Sequence, residues 1–424
     1  MSNTIRKFVL LPIMLTLFDG NTNVTTDTGM SGEMKTFYDK ALITLAEPQL
    51  VHDQFGQKKT IPQGTGKTIQ FRKYDSLPKA MTPLTEGVTP NGQKMNMSVI
   101  EATISQFGGF IELSDMLKMT AIDDNQVEGL KLLAGQAGRT LDTITREELA
   151  GGSNVVYAGG KAARHLLVGG DATAANNDYL MVDQVKRAVR FLKVQNAQKI
   201  NGDFVAIIHP DNTYDFTNDP AWKDPHTYVD TKEQYSGEIG RIAGCRFVEV
   251  TEGKIFHAAD LTASARNLTV ASWTAGTKVA VVDEAITAAE ATALAGRKVI
   301  IQTQLCTIAS ATAGAAGAAS ITLTAVPTTA PADGNTVYPG EAGAAGRDVY
   351  ATLVLGANAY GVTSLAGGGL EYIVKQLGSG GTSDPLNQRA TIGWKATKVA
   401  KRLVEQYMVR IESTSTFQSG SDAA

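Results

Sequence analysis

The chain has 424 residues, enough for two or three domains with sizeable apolar cores. Its 43% hydrophobic and 19% charged content excludes a disordered chain, and a formal net charge of −3 argues against a protein that coats nucleic acid with its bulk, though not against a local basic face. Two cysteines, Cys245 and Cys306, are too few for a disulfide scaffold and suit a reducing cytoplasm as small buried side chains.

Arg6-Lys7 followed by the apolar run 8–18 (FVLLPIMLTLF) has the layout of a signal peptide. Pro12 interrupts the run, no small-x-small cleavage pattern follows it, and it is shorter than the roughly 20 residues needed to cross a bilayer. It reads as an apolar arm that docks on another copy, and no later stretch can span a membrane. Residues 21–32, rich in Thr, Asn and Gly, form a linker. A short amphipathic helix is predicted over 33–46, with Phe37, Ala41 and Leu45 on one face and Pro48 closing it.

Residues 67–114 are the most unusual stretch. TIQFR (68–72) alternates as a strand, and 94–106 reads as an extended return strand. Between them, 77–91 (LPKAMTPLTEGVTPN) carries Pro78, Pro83 and Pro90 and can form neither a helix nor a central strand. The result is a long open hairpin, each arm about 15 residues or on the order of 50 Å at about 3.3 Å per residue. An isolated two-stranded hairpin is marginal in water, so this one has to lie on its own domain or on another copy.

The strongest helix signal covers 123–150, where Val127, Leu130, Ala134, Ala137, Leu141 and Ile144 step by threes and fours. Asp123 and Asp124 suit its start and Gly151-Gly152 its end. At 1.5 Å per residue it is about 40 Å long, a spine rather than a small-domain helix. A second helix is predicted over 181–196 (Val182, Val185, Val189, Leu192), then a strand at 203–209, a helix start at Pro210-Asp211 and a strand at 246–250. This alternation implies an α+β body around a central sheet. From 257 to 347 the composition turns to Ala, Gly and Thr; strand-like runs at 279–282, 299–303 and 320–326 imply an inserted β-rich subdomain. Residues 390–411 are strand-rich and basic, with Lys395, Lys398, Lys401, Arg402 and Arg410, and the polar tail 412–424 is expected to be ordered only where a neighbour holds it.

Catalytic patterns are missing from the sequence. GTGKT (64–68) has Ile61 where a phosphate loop needs Gly, and a strand rather than a helix follows its lysine. There is no G-x-S-x-G elbow, and His52, His165, His209, His226 and His257 pair with no other His or Cys at metal-ligand spacing. Asp211, Asp215 and Asp219 recur every four residues, the wrong spacing for a calcium loop, and read as caps or solvated groups. No cofactor, metal or small-molecule substrate is expected, and no enzyme activity.

The blocks 45–71, 77–90 and 134–146 (AGQAGRTLDTITR), with His209-Pro210-Asp211, 237–244 (GEIGRIAG) and Gly393-Trp394-Lys395, occur in order. They resemble the major capsid proteins of podophages of the coliphage N-four type, a family similar in fold to the Hong Kong 97 phage capsid protein. The resemblance covers roughly 33–250 and 369–413. It implies an N-terminal arm at 1–50 and a peripheral domain at 51–66 and 115–156 with its spine helix at 123–150. It further implies an extended loop at 67–114, an axial domain at 157–256 and 348–369, the insertion at 257–347, and a return to the peripheral domain with a C-terminal tail at 370–424. The apolar run 8–18 and the insertion are not features of the family core, and no crosslinking motif of the Hong Kong 97 type is present.

The expected function is self-assembly into hexamers and pentamers of an icosahedral head around double-stranded DNA, with portal, scaffolding and decoration proteins as further partners and no membrane. Contacts between copies are expected from Phe8, Leu10, Leu11 and Phe37 on the arm. On the hairpin they are expected from Ile69, Phe71, Leu77, Pro78, Pro83, Leu84 and Pro90. Lys395, Lys398, Lys401 and Arg402 are candidates to face the DNA, against an equal reading as solvated or carboxylate-paired cations. The rival from another class is an exported, adhesin-like β protein, raised by the N-terminal run and the Thr/Ala-rich region.

Overall fold

The computed structural model describes residues 50–60, 67–74, 77, 79–81, 83–84, 86–89, 92–120, 125–170, 177–226, 239–257, 261, 267–274, 276–364, 370–379 and 384–417. The expected arm, the helix at 33–46, Phe8, Leu10, Leu11, Phe37, Pro78 and Pro90 lie outside the described residues, as do Asp123 and Asp124.

In chain order the strands up to the first long helix are β1 (Gln57–Lys59), β2 (Thr68–Tyr74), β3 (Met97–Thr103) and β4 (Ser105–Ser114), followed by α1 (Asp115–Thr120) and α2 (Asn125–Ala150). Next come β5 (Val155–Tyr157), α3 (Val182–Val194), β6 (Phe204–Ile208), α4 (Pro210–Asn218), α5 (Pro220–His226), β7 (Arg241–Ile242), β8 (Cys245–Glu249) and β9 (Lys254–Phe256). The insertion holds β10 (Leu268–Trp273), β11 (Val279–Val282), α6 (Ala288–Leu294), β12 (Lys298–Ile301), β13 (Gln304–Thr312), β14 (Ala319–Leu323) and β15 (Thr336–Pro339). The chain ends with β16 (Val349–Leu355), β17 (Tyr360–Thr363), β18 (Leu370–Lys375), β19 (Arg389–Lys398), β20 (Ala400–Arg402) and β21 (Met408–Ser413).

The chain divides into two compact units. The described part of the smaller one is Gly108–Ala137 with Leu370–Ala396; the larger comprises Pro48–Phe107, Gly138–Gly369 and Thr397–Ala424. The smaller unit is built on a three-stranded sheet in the order β18-β19-β4. A Cβ on Gly108 would sit 2.7 Å from the Trp394 carbonyl oxygen, so only glycine lets β4 come this close to β19. Trp394 Nε1–H donates to Gln136 Oε1 at 3.1 Å, the polar tip of a buried indole finding its partner.

In the larger unit a seven-stranded sheet runs β5-β21-β16-β6-β8-β7, with β9 also paired to β16. β6 (FVAII) is buried at every position because both faces of the sheet are covered. Phe204, Ala206 and Ile208 meet the apolar stripe of α3 (Val182, Val185, Val189, Leu192), with Phe216, Trp222 and Phe247 clustered alongside. Those three rings have centroids 4.8–5.8 Å apart. Val205 and Ile207 point the other way, toward Leu149 of α2 and Leu353, Leu355 and Tyr360. α3 is capped by Gln184 Oε1, which accepts the Met181 N–H at 2.7 Å, and by Asp219 Oδ2, which accepts the Val182 N–H at 2.8 Å. α4 begins with Pro210 after His209, whose Nδ1 accepts the Asp211 N–H at 3.2 Å.

The Ala/Gly/Thr-rich insertion is a closed barrel in the order β10-β11-β14-β13-β12-β15. Alternate residues fill its interior, among them Leu268, Val270, Ala280, Val282, Val299, Ile301, Ile308, Ala319, Ile321 and Val337. Mixing Ala with branched side chains fits this small interior. α6 opens with a capping box: the Glu290 N–H donates to Thr287 Oγ1 at 3.3 Å and Glu290 Oε2 accepts the Thr287 N–H at 2.9 Å.

Two expectations need correction. The paired arms of the hairpin are seven residues each, Thr68–Tyr74 with Met97–Thr103, so they span about 23 Å and not about 50 Å. The tail does not wait for a neighbour over its first residues. The Thr414 N–H donates to the Asp178 carbonyl oxygen at 2.9 Å and Ser415 Oγ to Asp215 Oδ2 at 2.7 Å, while the Phe417 ring lies 5.1 Å from that of Tyr214.

Candidate assembly interface

For the expected contacts between copies, the informative feature is large apolar surface left uncovered. The β2–β3 hairpin has two parts with opposite character. Ile69 and Phe71 are buried in the larger unit itself, with Ala102, Ile100, Ile104, Val399 and Leu403 around them. The Phe71 ring lies so close to β17 that a Cβ on Gly361 would come within 2.4 Å of it, and Lys59 Nζ sits 5.8 Å from the ring centroid. Ile69 and Phe71 therefore anchor the hairpin to its own subunit, correcting their assignment as contacts between copies. Beyond this anchor the apolar side chains have no cover: Leu77, Met81, Leu84, Val88 and Met95 expose between 53% and 81% of their surface, and Met97 and Val99 are also exposed. Pro83 is exposed with them. In the smaller unit Phe110, Met116, Leu117 and Leu132 are likewise uncovered.

The four cations singled out by composition are held by carboxylates. Lys395 Nζ lies 3.7 Å from Glu371 Oε2, Lys401 Nζ 3.8 Å from Glu148 Oε1, and Arg402 bridges Glu148 and Glu405. Lys398 is the clear correction. Its ammonium is fully buried against the Asp53 carboxylate, whose other oxygen accepts the Thr145 hydroxyl at 2.6 Å. Along β19, residues 390, 392, 394, 396 and 398 are all buried, so the strand's period of two turns Lys398 inward.

That pair belongs to a latch invisible to motif reading. The His52 N–H and Nδ1 contact the two oxygens of buried Asp142 at 2.8 and 2.6 Å, and the Tyr360 hydroxyl donates to the His52 carbonyl oxygen. The signal in the sequence was Asp142 and Thr145, two polar residues among Leu141 and Leu149 on the buried stripe of α2. A second network closes the other end of α2. Arg164 grips Glu412 with two hydrogen bonds of 2.6 and 2.7 Å, and Arg410 binds Glu412 at 2.7 Å. Arg410 also donates to the Gly152 carbonyl oxygen at 3.0 Å and to that of Ala150, placing a cation at the negative end of the helix dipole.

The recurring aspartates are structural: Asp211 accepts the Tyr350 hydroxyl at 2.6 Å, Asp215 holds the tail and Asp219 caps α3 and α5. Burial and the Asp211 carboxylate push the Tyr350 phenol up, so it stays a donor. Among the described residues, no three His, Cys, Asp or Glu side chains come together as a metal site, and no helix is long and apolar enough to cross a membrane. Lys67 leads into strand β2 and not a helix.

The phage capsid protein family matches residues 112–375, more than half of the chain, and the chain belongs to that family. Its architecture is similar to the capsid of cyanophage P-SCSP1u at 13% identity and a TM-score of 0.48, covering 84% of this chain and 86% of that one. It is also similar to the capsid of Ralstonia phage GP4 (13% identity, TM-score 0.48, 86% and 88% covered) and to the head of Helicobacter pylori bacteriophage KHP40 (9%, 0.49, 82% and 85%). No curated protein matches the chain in sequence. Membership makes this a structural protein of the virion whose working form is an assembly of subunits, and it does not support the adhesin-like alternative.

Proposed function

We propose that this chain is the major subunit that closes, as hexamers and pentamers, the icosahedral head of a tailed phage around double-stranded DNA. The observation that carries the reading is the uncovered row Leu77, Met81, Leu84, Val88 and Met95 next to a firmly anchored hairpin base. The base fixes direction; the loop has apolar surface that only another surface can remove from water. Such contacts are heterologous, one patch on a different patch of the next copy, and rings close by rotation. With each side chain worth about 1.5–3 kcal/mol on full burial, the five contribute on the order of 5–10 kcal/mol per subunit from their exposed fractions. The arm at 1–50 adds Phe8, Leu10, Leu11 and Phe37 to the same task, and the N-four-type blocks favour a podophage head. Assembly takes place in the host cytoplasm, with portal, scaffolding and decoration proteins completing the particle.

The test is a double substitution, Met81→Asp with Leu84→Asp. Both side chains are exposed, so melting of the unassembled subunit stays unchanged. The concentration needed for assembly, followed by light scattering and negative-stain microscopy, rises at least ~10-fold, which is 1.4 kcal/mol. Shells forming at the wild-type concentration would exclude the loop from the interface.

A further inference from the structure

The sequence's candidate DNA-facing cations are paired with carboxylates, so a basic face open to a polyanion has to be sought elsewhere on the subunit. Among the described residues, a row of unpaired cations lies on α3. Lys186, Arg190 and Lys193 are exposed on one side of this helix, while its opposite side is buried on the sheet. With Val189, Val194 and Ala243 they line a groove of about 460 Å³. Among the described residues the helix's one ion pair joins Arg187 to Asp183 at 2.7 Å, and no carboxylate holds the other three cations. Positions i, i+4 and i+7 form a row about 10 Å long at 1.5 Å per residue.

We propose that this face of α3 is the surface of the subunit that meets the packaged double-stranded DNA, contacting phosphates without reading sequence. The inference rests on the capsid reading above. Two features favour a nucleic-acid backbone over a protein partner. The cations form a line, and duplex DNA presents one charge per about 1.7 Å of its axis. The side chains are long and, among the described residues, held by no carboxylate, which suits a repetitive anion better than one defined partner. Lys193 also sits in the last turn of α3, where it offsets the helix dipole, but that role does not account for Lys186 or Arg190.

The test has two arms. In the first, the purified chain is titrated with a random-sequence duplex between 50 and 200 mM salt. The variant Lys186→Gln/Arg190→Gln/Lys193→Gln has a log–log salt slope shallower by about 2–3, from roughly 0.9 per phosphate contact, and binds more weakly at 50 mM. An unchanged slope overturns the proposal. In the second, Lys186 and Lys193 are acetylated by acetic anhydride, which leaves acetate, in DNA-filled shells, DNA-free shells and unassembled subunits. Protection confined to filled shells supports DNA. Protection in DNA-free shells means that another copy covers α3, and labelling everywhere means bare solvent; either overturns it. If the wild-type chain forms no shells, the capsid reading fails, while the duplex titration still judges the patch.

Discussion

Replacing Lys398 with Met leaves the Asp53 carboxylate buried, with the Thr145 hydroxyl as its remaining side-chain partner at 2.6 Å. Removing one member of a buried ion pair costs about 3–5 kcal/mol, because the stranded charge keeps its desolvation penalty and loses its attraction. The loss acts where residues 52–53 are latched to α2, so it registers as global destabilisation of the larger unit. For a chain of this size, with a urea slope of about 3 kcal/mol per molar or more, the midpoint falls by on the order of 1 M. Adding Asp53→Asn removes the stranded charge, keeps an acceptor for Thr145, and restores more than half of the loss, a coupling of about 2 kcal/mol or more. Urea unfolding followed by circular dichroism measures all four corners of the cycle. A Lys398→Met single variant within about 0.5 kcal/mol of wild type, the range of ordinary surface changes, would refute the buried latch and return Lys398 to solvent.

Two further outcomes follow from the same packing. Gly361→Ala places a methyl 2.4 Å from Phe71 Cε1, and the confined ring cannot move without disturbing Ile69 and Ala102. The cost is about 1–3 kcal/mol, read as faster tryptic cleavage after Arg72 and Lys73, and unchanged cleavage would contradict the anchor. Burial holds the His209 imidazole below its usual range, against the opposing pull of Asp211, so the folded state keeps it neutral as a cap. The unfolded chain then binds more protons below about pH 6.5, and stability declines as pH falls through that value toward the lower folded one. His209→Asn keeps a capping acceptor and flattens this limb in melting temperatures taken from pH 8 to 5; an unaltered slope would assign the pH dependence elsewhere.

What the sequence made legible was what repeats with a period. The stripe of α2, the stripe of α3, the buried run at β6 and the strand alternation of Ile69 and Phe71 follow from spacing alone, but that alternation did not say that the two side chains pack on their own subunit. The same alternation, continued from Ile392 through Trp394 and Ala396, already pointed Lys398 inward; reading residues 390–411 as a basic composition hid it. Strand β13 carries little contrast because of its Ala, Ser and Thr, and β15 is only four residues long; β10 does alternate at Leu268 and Val270, but the burial of all three depends on barrel closure, a long-range event. The T-x-x-E box at Thr287–Glu290 could have marked α6. Asp53, Asp142, Arg410 and Glu412 lie far apart in the chain, so no local signal shows that their charges meet.

The place of the barrel explains why the fold tolerates it. β9 and β16 are antiparallel neighbours with Phe256 opposite Val349, so the chain leaves and rejoins the sheet across one ladder, and His257 Nδ1 lies 3.6 Å from Asp348 Oδ2 just beyond. An unstructured loop of about ninety residues there would cost about 3 kcal/mol more in closure entropy than a tight turn, at roughly 0.6 kcal/mol per doubling of length. The barrel avoids much of this by holding its own ends, and closure leaves no free strand edge for sister barrels to join. Its core cluster is made of its own residues, from Leu261 to Val337. Exchanging residues 258–347 for Asn-Gly turns β9 and β16 into a two-residue hairpin whose turn matches the strand twist. The shortened chain unfolds in urea within about 1 kcal/mol of the parent, and the excised segment melts cooperatively alone. Collapse of the shortened chain would mean that the barrel is an integral part of the sheet's core and not a guest in it.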